Sequence, residues 1–171
     1  MPPASRKARL IVFSGLPGSG KTTLAKALAQ EIQAVYLRID SIEEGLRASV
    51  LNVEAVEDAG YLAAYKVAAD NLTSGLTVIA DCVNPIELTR EAWQNTAREN
   101  GFDHLFVYVL CSDASERRSR LEIRESGNQK KIQDMMEREF EPWQEPVIEI
   151  DTTKASVQQS LNKILAEIKS D

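Results

Sequence analysis

Gly15-Leu16-Pro17-Gly18-Ser19-Gly20-Lys21-Thr22 fills every fixed position of the pattern G-x-x-x-x-G-K-[ST]. Glycines in such a loop permit positive φ angles, so that successive backbone N–H groups turn inward and surround a polyphosphate. Lys21 then reaches the β- and γ-phosphates, and the Thr22 hydroxyl is a ligand for Mg²⁺. The stretch therefore predicts nucleotide binding. The predicted binding residues are Gly15, Pro17, Gly18, Ser19, Gly20, Lys21, Thr22 and Thr23.

The residues on either side of the loop have the pattern that the motif requires. Leu10–Phe13 is a short, wholly apolar run, which is typical of a buried parallel strand. After the loop the chain is rich in good helix formers, with Leu24, Leu28 and Ile32 on one helical face. A structural glycine turn with an incidental lysine is the alternative, and this strand-loop-helix context counts against it. We expect the Lys21 side chain to face solvent until phosphates arrive.

Length and composition are those of an ordinary globular chain. With 171 residues it is long enough to bury a core and short for two domains. The net charge of −6 argues against broad, sequence-independent binding of nucleic acid, although a local basic site is compatible with it. No apolar stretch reaches the roughly 20 residues of a membrane span and no signal-peptide core is visible, so we predict a cytoplasmic protein. One histidine with Cys82 and Cys111 is too small a set for a zinc site, and both thiols are expected to be reduced.

Strand and helix signals alternate along the whole chain, which predicts an α/β fold with a parallel sheet between layers of helices. We treat residues 1–171 as one domain, with 1–8 as a flexible tail and 128–131 as a mobile segment. The predicted strands are Leu10–Phe13, Ala34–Ile39, Leu76–Asp81, His104–Cys111 and Val147–Ile150. The predicted helices are Lys21–Ile32, Ser41–Leu51, Glu54–Thr73, Pro85–Asn100, 113–127, 132–140 and Ser156–Lys169.

Acidic residues follow the carboxyl ends of the predicted strands, where open parallel sheets bind their ligands. Asp81 ends the third strand, where a carboxylate can reach Mg²⁺ or its waters beside the loop, so Thr22 and Asp81 are the predicted metal ligands. Asp40 follows the second strand, where a general base for an acceptor hydroxyl is needed. The alternative for each aspartate is a cap on the next helix.

A basic helix begins after Asp113-Ala114-Ser115-Glu116, a sequence typical of a helical capping box. Arg120 and Arg124 lie one turn apart on this helix, so we expect them to project from one face toward the same ligand. Two arginines in this arrangement can stabilise the equatorial oxygens of a phosphoryl group during transfer. The alternative is a solvated helix face on which the arginines pair with nearby glutamates.

The chain resembles the P-loop kinases of small molecules, a group that includes adenylate, gluconate, adenylylsulfate and chloramphenicol kinases and the kinase domain of polynucleotide kinase. Residues 11–25 look like the opening of that group, and residues 120–124 look like the paired arginines of its lid. The resemblance implies a three-layer fold with a five-stranded sheet of order 2-3-1-4-5 and a lid at about 117–131. It also implies an enzyme that moves the γ-phosphate of ATP, with Mg²⁺, to a hydroxyl of a small molecule. The implied catalytic residues are Lys21, Asp40, Arg120 and Arg124, of which Arg120 also binds the nucleotide.

One position departs from that resemblance. Polynucleotide kinases and some relatives show Asp-x-x-Arg after the second strand, whereas Asp40 is followed three residues later by Glu43, and the next basic residue is Arg47. This departure disfavours a phosphorylated or polynucleotide acceptor and leaves a neutral or cationic hydroxyl compound open. We expect a monomer or homodimer without a membrane partner. An ATP-hydrolysing switch and a nucleotide-binding regulatory domain are the competing hypotheses.

Four further positions have two interpretations each. By the resemblance Arg90 binds substrate, but a surface arginine has the same sequence signal. Tyr61 and Tyr65 either flank the acceptor pocket or belong to the core. Asp151 lies where the group has its adenine-contacting loop, although a plain connection between strand and helix fits equally well.

Overall fold

The described part of the chain, residues 7–50 and 55–170 of this computed structural model, alternates between strands and helices. The strands are β1 Arg9–Ser14, β2 Val35–Arg38, β3 Val78–Asp81, β4 Asp103–Leu110 and β5 Ile148–Asp151. The helices are α1 Lys21–Ile32, α2 Ile39–Arg47, α3 Ala59–Thr73, α4 Glu87–Glu99, α5 Ala114–Arg124, α6 Gln129–Met136 and α7 Val157–Ser170. All strand pairs are parallel, and the order is β2-β3-β1-β4-β5. The predicted fold class and strand order are thereby confirmed.

The sheet is buried on both faces, which explains the apolar run Leu10–Phe13 in its central strand. Ile11 and Phe13 belong to one core cluster with residues of α1 and α7. Leu10 and Val12 belong to a second cluster with residues of α3 and α4. Neighbouring residues of β1 thus alternate between the two faces, as the pleat of a strand requires.

The second strand is shorter than predicted. β2 pairs only with β3, and their ladder ends where Arg38 lies opposite Asp81. α2 begins at the next residue, Ile39, and Arg38 is its N-cap. Asp40 therefore lies in the first turn of a helix rather than after a strand, and the interpretation of Asp40 as the cap is wrong.

Two predicted loop features also differ in the structure. α4 begins at Glu87 instead of Pro85, because Asn84 has a φ of +51° and its side-chain amide donates to Ser14 Oγ at 2.9 Å. The segment predicted to be mobile, 128–131, contains the first turn of α6. Asn128 Oδ1 accepts a hydrogen bond there from the Lys131 backbone N–H at 3.2 Å.

Some predicted boundaries lie outside the described residues, namely 1–6 of the tail and the helix ends at Leu51 and Glu54. At the end of that tail Ala8 is buried, and Lys7 forms an exposed ion pair with Asp103 at 2.9 Å. Among the helices of the described residues, none has the length and apolar character that a membrane crossing requires.

Candidate active site

The glycine-rich motif forms a tight turn between β1 and α1. Gly15 has a φ of +152°, and a Cβ there would lie 2.2 Å from the carbonyl oxygen of Val109 in β4. Gly18 has a φ of +82°, and a Cβ there would lie 3.0 Å from Leu121 in α5. Both glycines are therefore required by backbone conformation and by close approach. Because α1 begins directly after the turn, its first N–H groups and the positive end of its dipole are available to an anion.

Lys21 is buried, with only 7% of its surface exposed, so the expectation that it faces solvent is wrong. Burial lowers the pKa of Lys21, whereas the carboxylates of Asp81 and Asp40 act in the opposite direction. The net lowering of this pKa means that the nearby carboxylates do not fully offset the lost hydration of the ammonium group. An anion bound in the loop would supply the missing compensation.

Asp81 lies at the end of β3, beside the start of α1, and is almost completely buried. Its Oδ2 accepts hydrogen bonds from Thr22 Oγ1 and from the Tyr36 hydroxyl, both at 2.7 Å. Its Oδ1 is buried without a hydrogen-bond partner among the described residues. The structure thus brings Thr22 and Asp81 together, as the sequence predicted, and leaves one carboxylate oxygen for a further ligand.

Tyr36 was not predicted to be part of the site. Burial raises the pKa of Tyr36 above its ordinary value, and the hydrogen bond to Asp81 raises it further. The phenol therefore stays protonated at neutral pH and acts as the donor to Asp81. The tyrosine is visible in the sequence, but only the pairing of β2 with β3 shows that it reaches this carboxylate.

Asp40 lines a cleft of about 390 Å³ beside the phosphate loop. Its carboxylate accepts a hydrogen bond from Arg38 Nη2 at 2.8 Å, and 49% of the side chain is exposed. Arg38 occupies the last position of β2. The basic partner of Asp40 is thus an arginine two residues before it in the chain. The sequence offers a signal for Arg38, because strand ends face the ligand in such sheets.

The same cleft brings Lys21, Asp40 and Arg124 together from distant parts of the sequence. Among the described residues, its charged lining consists of six basic side chains and four acidic ones: Lys21, Arg38, Arg47, Arg124, Lys131 and Arg138, with Asp40, Glu43, Glu44 and Glu125. The cleft is therefore positive overall, although the chain has a net charge of −6. A local excess of basic groups in a concave site attracts anions.

Arg120 lies on the other side of the phosphate loop. Its guanidinium donates to Thr152 Oγ1 at 2.8 Å and to the carbonyl oxygens of Gly18 and Ser19, both at 3.4 Å. With Thr152 it lines a second cavity of about 310 Å³. Because Arg124 lines the cleft of Asp40 instead, the two arginines face different spaces, contrary to the expectation of one shared ligand.

Arg117 connects the phosphate loop to α6, within the predicted lid. Its Nε donates to the carbonyl oxygen of Pro17 at 2.9 Å, and its Nη2 donates to that of Met135 at 2.6 Å. Arg124 Nη2 approaches the sulfur of the same methionine at 3.3 Å, and Arg124 Nε pairs with Glu125 at 2.6 Å. These contacts hold α5 and α6 against the edge of the loop.

Arg90 is neither a surface arginine nor part of either cavity. It is 1% exposed and donates to the carbonyl oxygens of Glu141 and Pro142 at 2.6 and 3.1 Å. Its guanidinium carbon lies 4.1 Å from the ring centre of Trp143, which lies between two prolines in sequence and packs against the arginine. Arg90 therefore fastens residues 137–147, here called the strap, to α4.

The other ambiguous positions, Asp151, Tyr61 and Tyr65, make contacts within the protein. Asp151 Oδ1 accepts the backbone N–H groups of Ser112 and Thr153 at 3.2 and 3.1 Å. Although burial raises the pKa of Asp151, these hydrogen bonds hold it well below its ordinary value. Tyr61 and Tyr65 pack against the core between the sheet and α3 and α4, and neither lines the cleft of Asp40.

The parallel sheet, the phosphate loop and a carboxylate at the end of β3 define a P-loop nucleotide-binding protein. The sequence profile of a family described as an AAA domain matches residues 10–145. The chain is 30% identical to a Halalkalibacterium halodurans protein named "probable adenylyl-sulfate kinase", over 93% of this chain and 79% of that one. It is also 30% identical to shikimate kinase from Bacillus cereus, over 92% and 97% of the two chains.

The fold agrees with these relatives. It matches APS kinase from Mycobacterium tuberculosis, solved with AMPPNP and APS, with a TM-score of 0.77 and 17% identity over 96% of this chain and 99% of that one. The chain belongs to the AAA-domain family of P-loop kinases. It is a nucleotide-using kinase, a transferase that acts on a small molecule, as the sequence predicted.

Proposed function

We propose that this kinase transfers the γ-phosphate of ATP to a hydroxyl group of an anionic small molecule. The observation that carries the proposal is the cleft in which Lys21, Asp40 and Arg124 meet beside the phosphate loop. A protein that only bound or hydrolysed nucleotide would have no use for this second, positively charged space. A kinase needs it, because two substrates must lie side by side for direct transfer.

ATP would lie across the phosphate loop. The loop N–H groups and Lys21 would hold its phosphates, and its adenosine would extend toward the cavity of Arg120 and Thr152. Arg120 is anchored to the backbone of the loop itself, so it supports the nucleotide side of the site. Arg124, on the cleft side, would stabilise negative charge on the group in transfer.

Thr22 and Asp81 fit Mg²⁺. A hydroxyl and a carboxylate with one buried, unpartnered oxygen are hard oxygen donors of the kind that this ion prefers. When bound, the ion would neutralise charge on the phosphates. The described residues contain no group of three His, Cys, Asp or Glu side chains that could hold a metal. A site of two protein ligands, completed by phosphates and water, requires none.

We infer that Asp40, which lines the cleft, receives the proton of the acceptor hydroxyl. Its ion pair with Arg38 fixes the orientation of the carboxylate at the wall of the cleft. As the acceptor oxygen bonds to the γ-phosphorus, the bond from that phosphorus to the bridging oxygen of ADP would break, and ADP would leave with the electron pair. The hydroxyl proton would move to Asp40, whose half-exposed side chain can pass it to solvent. α2 thus supplies the base from its first turn.

The charge of the cleft changes our expectation for the acceptor. The sequence left a neutral or cationic compound open because Glu43 replaces an arginine. The folded cleft contains more basic than acidic side chains, including Arg38 on the opposite side of Asp40 in sequence. An acceptor with a carboxylate, sulfate or phosphate group fits this balance better. The relatives named for adenylyl sulfate and shikimate, both anions, agree with this class.

ATP turnover with paired acceptors tests the proposal. Each neutral hydroxyl compound in the panel is matched with a counterpart that carries one anionic group. We expect ATP consumption to depend on the acceptor and kcat/KM to be higher for the anionic member of a pair. Turnover without acceptor would indicate a nucleotide hydrolase, and a preference for neutral compounds would contradict the proposed acceptor class.

A further inference from the structure

Two hydroxyl groups donate to one oxygen of Asp81. Thr22 Oγ1 and the Tyr36 hydroxyl each lie 2.7 Å from Oδ2. Two donors that converge on one oxygen from different elements restrict rotation of the carboxylate. Oδ1 is then the free acceptor of this side chain, since it is buried and has no hydrogen-bond partner among the described residues.

The position of Tyr36 on β2 explains how it reaches this carboxylate. The strand register places Tyr36 opposite Ile79 and Arg38 opposite Asp81. Residues two apart on a strand share a face, so Tyr36 and Arg38 project from the same side of β2. The Tyr36 ring also lies near α1, where Lys26 Nζ is 5.8 Å from the ring centre. One short strand therefore orients two carboxylates, Asp81 through Tyr36 and Asp40 through Arg38.

We propose that Tyr36 is a positioning residue for the metal, whose hydroxyl holds Asp81 so that Oδ1 stays available to Mg²⁺ or to a water bound to it. This inference rests on the proposed function, in which Thr22 and Asp81 hold the ion. Thr22 can donate its proton to Asp81 while its oxygen contacts the ion, but its position would then depend on the metal as well. Tyr36 has no such second task and supplies the orientation from outside the site.

Tyr36→Phe tests the inference, because it removes the hydroxyl and keeps the ring. Mn²⁺ is titrated into the complex of the protein with a non-hydrolysable ATP analogue, and bound metal is measured by electron paramagnetic resonance. We expect Tyr36→Phe to weaken Mn²⁺ binding by about 10-fold or more, as loss of a ligand-orienting hydrogen bond typically does. Affinity for the analogue in EDTA, measured by calorimetry, should stay at the wild-type value.

Tyr65→Phe is the matched control. The Tyr65 hydroxyl donates only a long hydrogen bond, 3.4 Å, to the carbonyl oxygen of Thr89, away from the metal position. This variant should bind Mn²⁺ like the wild-type protein. Wild-type Mn²⁺ affinity in folded Tyr36→Phe would overturn the inference.

Asp81→Asn separates the two ways in which the inference can fail. If Asp81→Asn loses Mn²⁺ affinity and Tyr36→Phe does not, the metal assignment stands and Tyr36 is not a positioning residue. If neither variant loses affinity, Asp81 does not hold the metal, and the inference falls with that assignment. Thermal unfolding of each variant confirms that the measured protein is folded.

Discussion

Lys21 illustrates how a single buried charge can prepare a site for its ligand. Its ammonium group has lost hydration, and this loss lowers its pKa although Asp81 and Asp40 lie near. The loop therefore contains a poorly solvated charge that a bound polyphosphate would compensate. Affinity for phosphate and a modest destabilisation of the empty protein have the same physical origin.

Lys21→Met is expected to abolish turnover while leaving the fold intact. Methionine fills a similar volume without a buried charge, so the melting temperature without nucleotide should equal or exceed that of the wild-type protein. The transferred phosphate loses its main cationic contact, which should reduce kcat/KM by at least about 10³-fold. Steady-state kinetics and thermal unfolding measure both effects. A folded Lys21→Met protein with near-normal turnover would show that the loop does not bind phosphate as argued.

The variant Asp40→Asn tests whether Asp40 acts as the general base or holds the metal. We expect the affinity for Mg·ATP, measured by calorimetry, to stay within a few-fold, and phosphorylation of the acceptor to fall by about 10² or more. Glu44→Gln is the control, because Glu44 lines the same cleft and the substitution removes the same charge. If both variants reduce phosphorylation equally, Asp40 acts only through the electrostatic field of the cleft. If Asp40→Asn weakens ATP binding as much as it lowers phosphorylation, Asp40 belongs to the metal site.

At the scale of elements, α5 and α6 form a pair whose inner side chains contact the loop and the cleft. Arg124→Ala should lower kcat by about 10² while changing ATP affinity less, because its charge would be needed mainly in the transition state. Arg118→Ala is the control on the same helix, since Arg118 forms a surface hydrogen bond with Gln133 and an ion pair with Glu122 and does not line the cleft of Asp40 among the described residues. If both variants keep the wild-type kcat, Arg124 belongs to a solvated helix face.

The strap depends on one arginine of α4. Arg90→Met should reduce the free energy of unfolding by about 3 kcal/mol, because it leaves buried carbonyl oxygens of the strap without their donor. Urea unfolding at constant m-value measures this change. Arg98→Met, on the exposed side of the same helix, should change stability by less than about 0.5 kcal/mol. A similar small effect of Arg90→Met would mean that the strap is held by its aromatic contacts alone.

The elements that sequence predicts well are those specified by neighbouring residues. The strand, loop and helix at Leu10–Ile32 follow from local pattern, and the Asp113 cap forms as predicted, with hydrogen bonds to Ser115 and Glu116 at 2.8 and 3.1 Å. The order of the strands came from resemblance to a family. Contacts between distant residues were missed: Arg90 binds carbonyl groups about 50 positions away, and no local pattern distinguishes it from a surface arginine.

The candidate site also contains residues that local sequence marks and residues that only long-range contacts reveal. Lys21, Thr22 and Asp81 were found because a motif and a strand end mark them. Tyr36 was not, because its contact with Asp81 depends on which strand pairs with β3. Arg38 was missed although its partner, Asp40, is only two residues away. The solvent exposure of Lys21 was predicted wrongly for a related reason, since burial results from elements that pack over the loop. Residues with roles defined by local backbone are predictable, and residues with roles defined by their partners require the fold.

At the scale of the whole molecule, the charge of the cleft is opposite in sign to the net charge of the chain. The chain carries a net charge of −6, while the cleft beside the phosphate loop has six basic and four acidic side chains among the described residues. A negative net charge disfavours the approach of anions on average, whereas the local excess of basic side chains would attract an anionic acceptor to the cleft. Such a charge distribution increases the association rate of an anionic acceptor more than it increases the affinity of the bound acceptor.

The dependence of kcat/KM on ionic strength therefore tests whether the charge of the cleft attracts the acceptor. The Debye length falls from about 10 Å at 0.1 M salt to about 3 Å at 1 M, which screens the cleft from an approaching anion. With ATP and Mg²⁺ saturating, kcat/KM for an anionic acceptor should fall by about 10-fold between roughly 0.05 and 0.5 M potassium chloride. The neutral counterpart of that acceptor should change by less than about 2-fold, because screening acts on charge and not on shape. Equal salt dependence for both acceptors would attribute the effect to the nucleotide or to general loss of activity, and the cleft would then select its substrate by contacts other than charge.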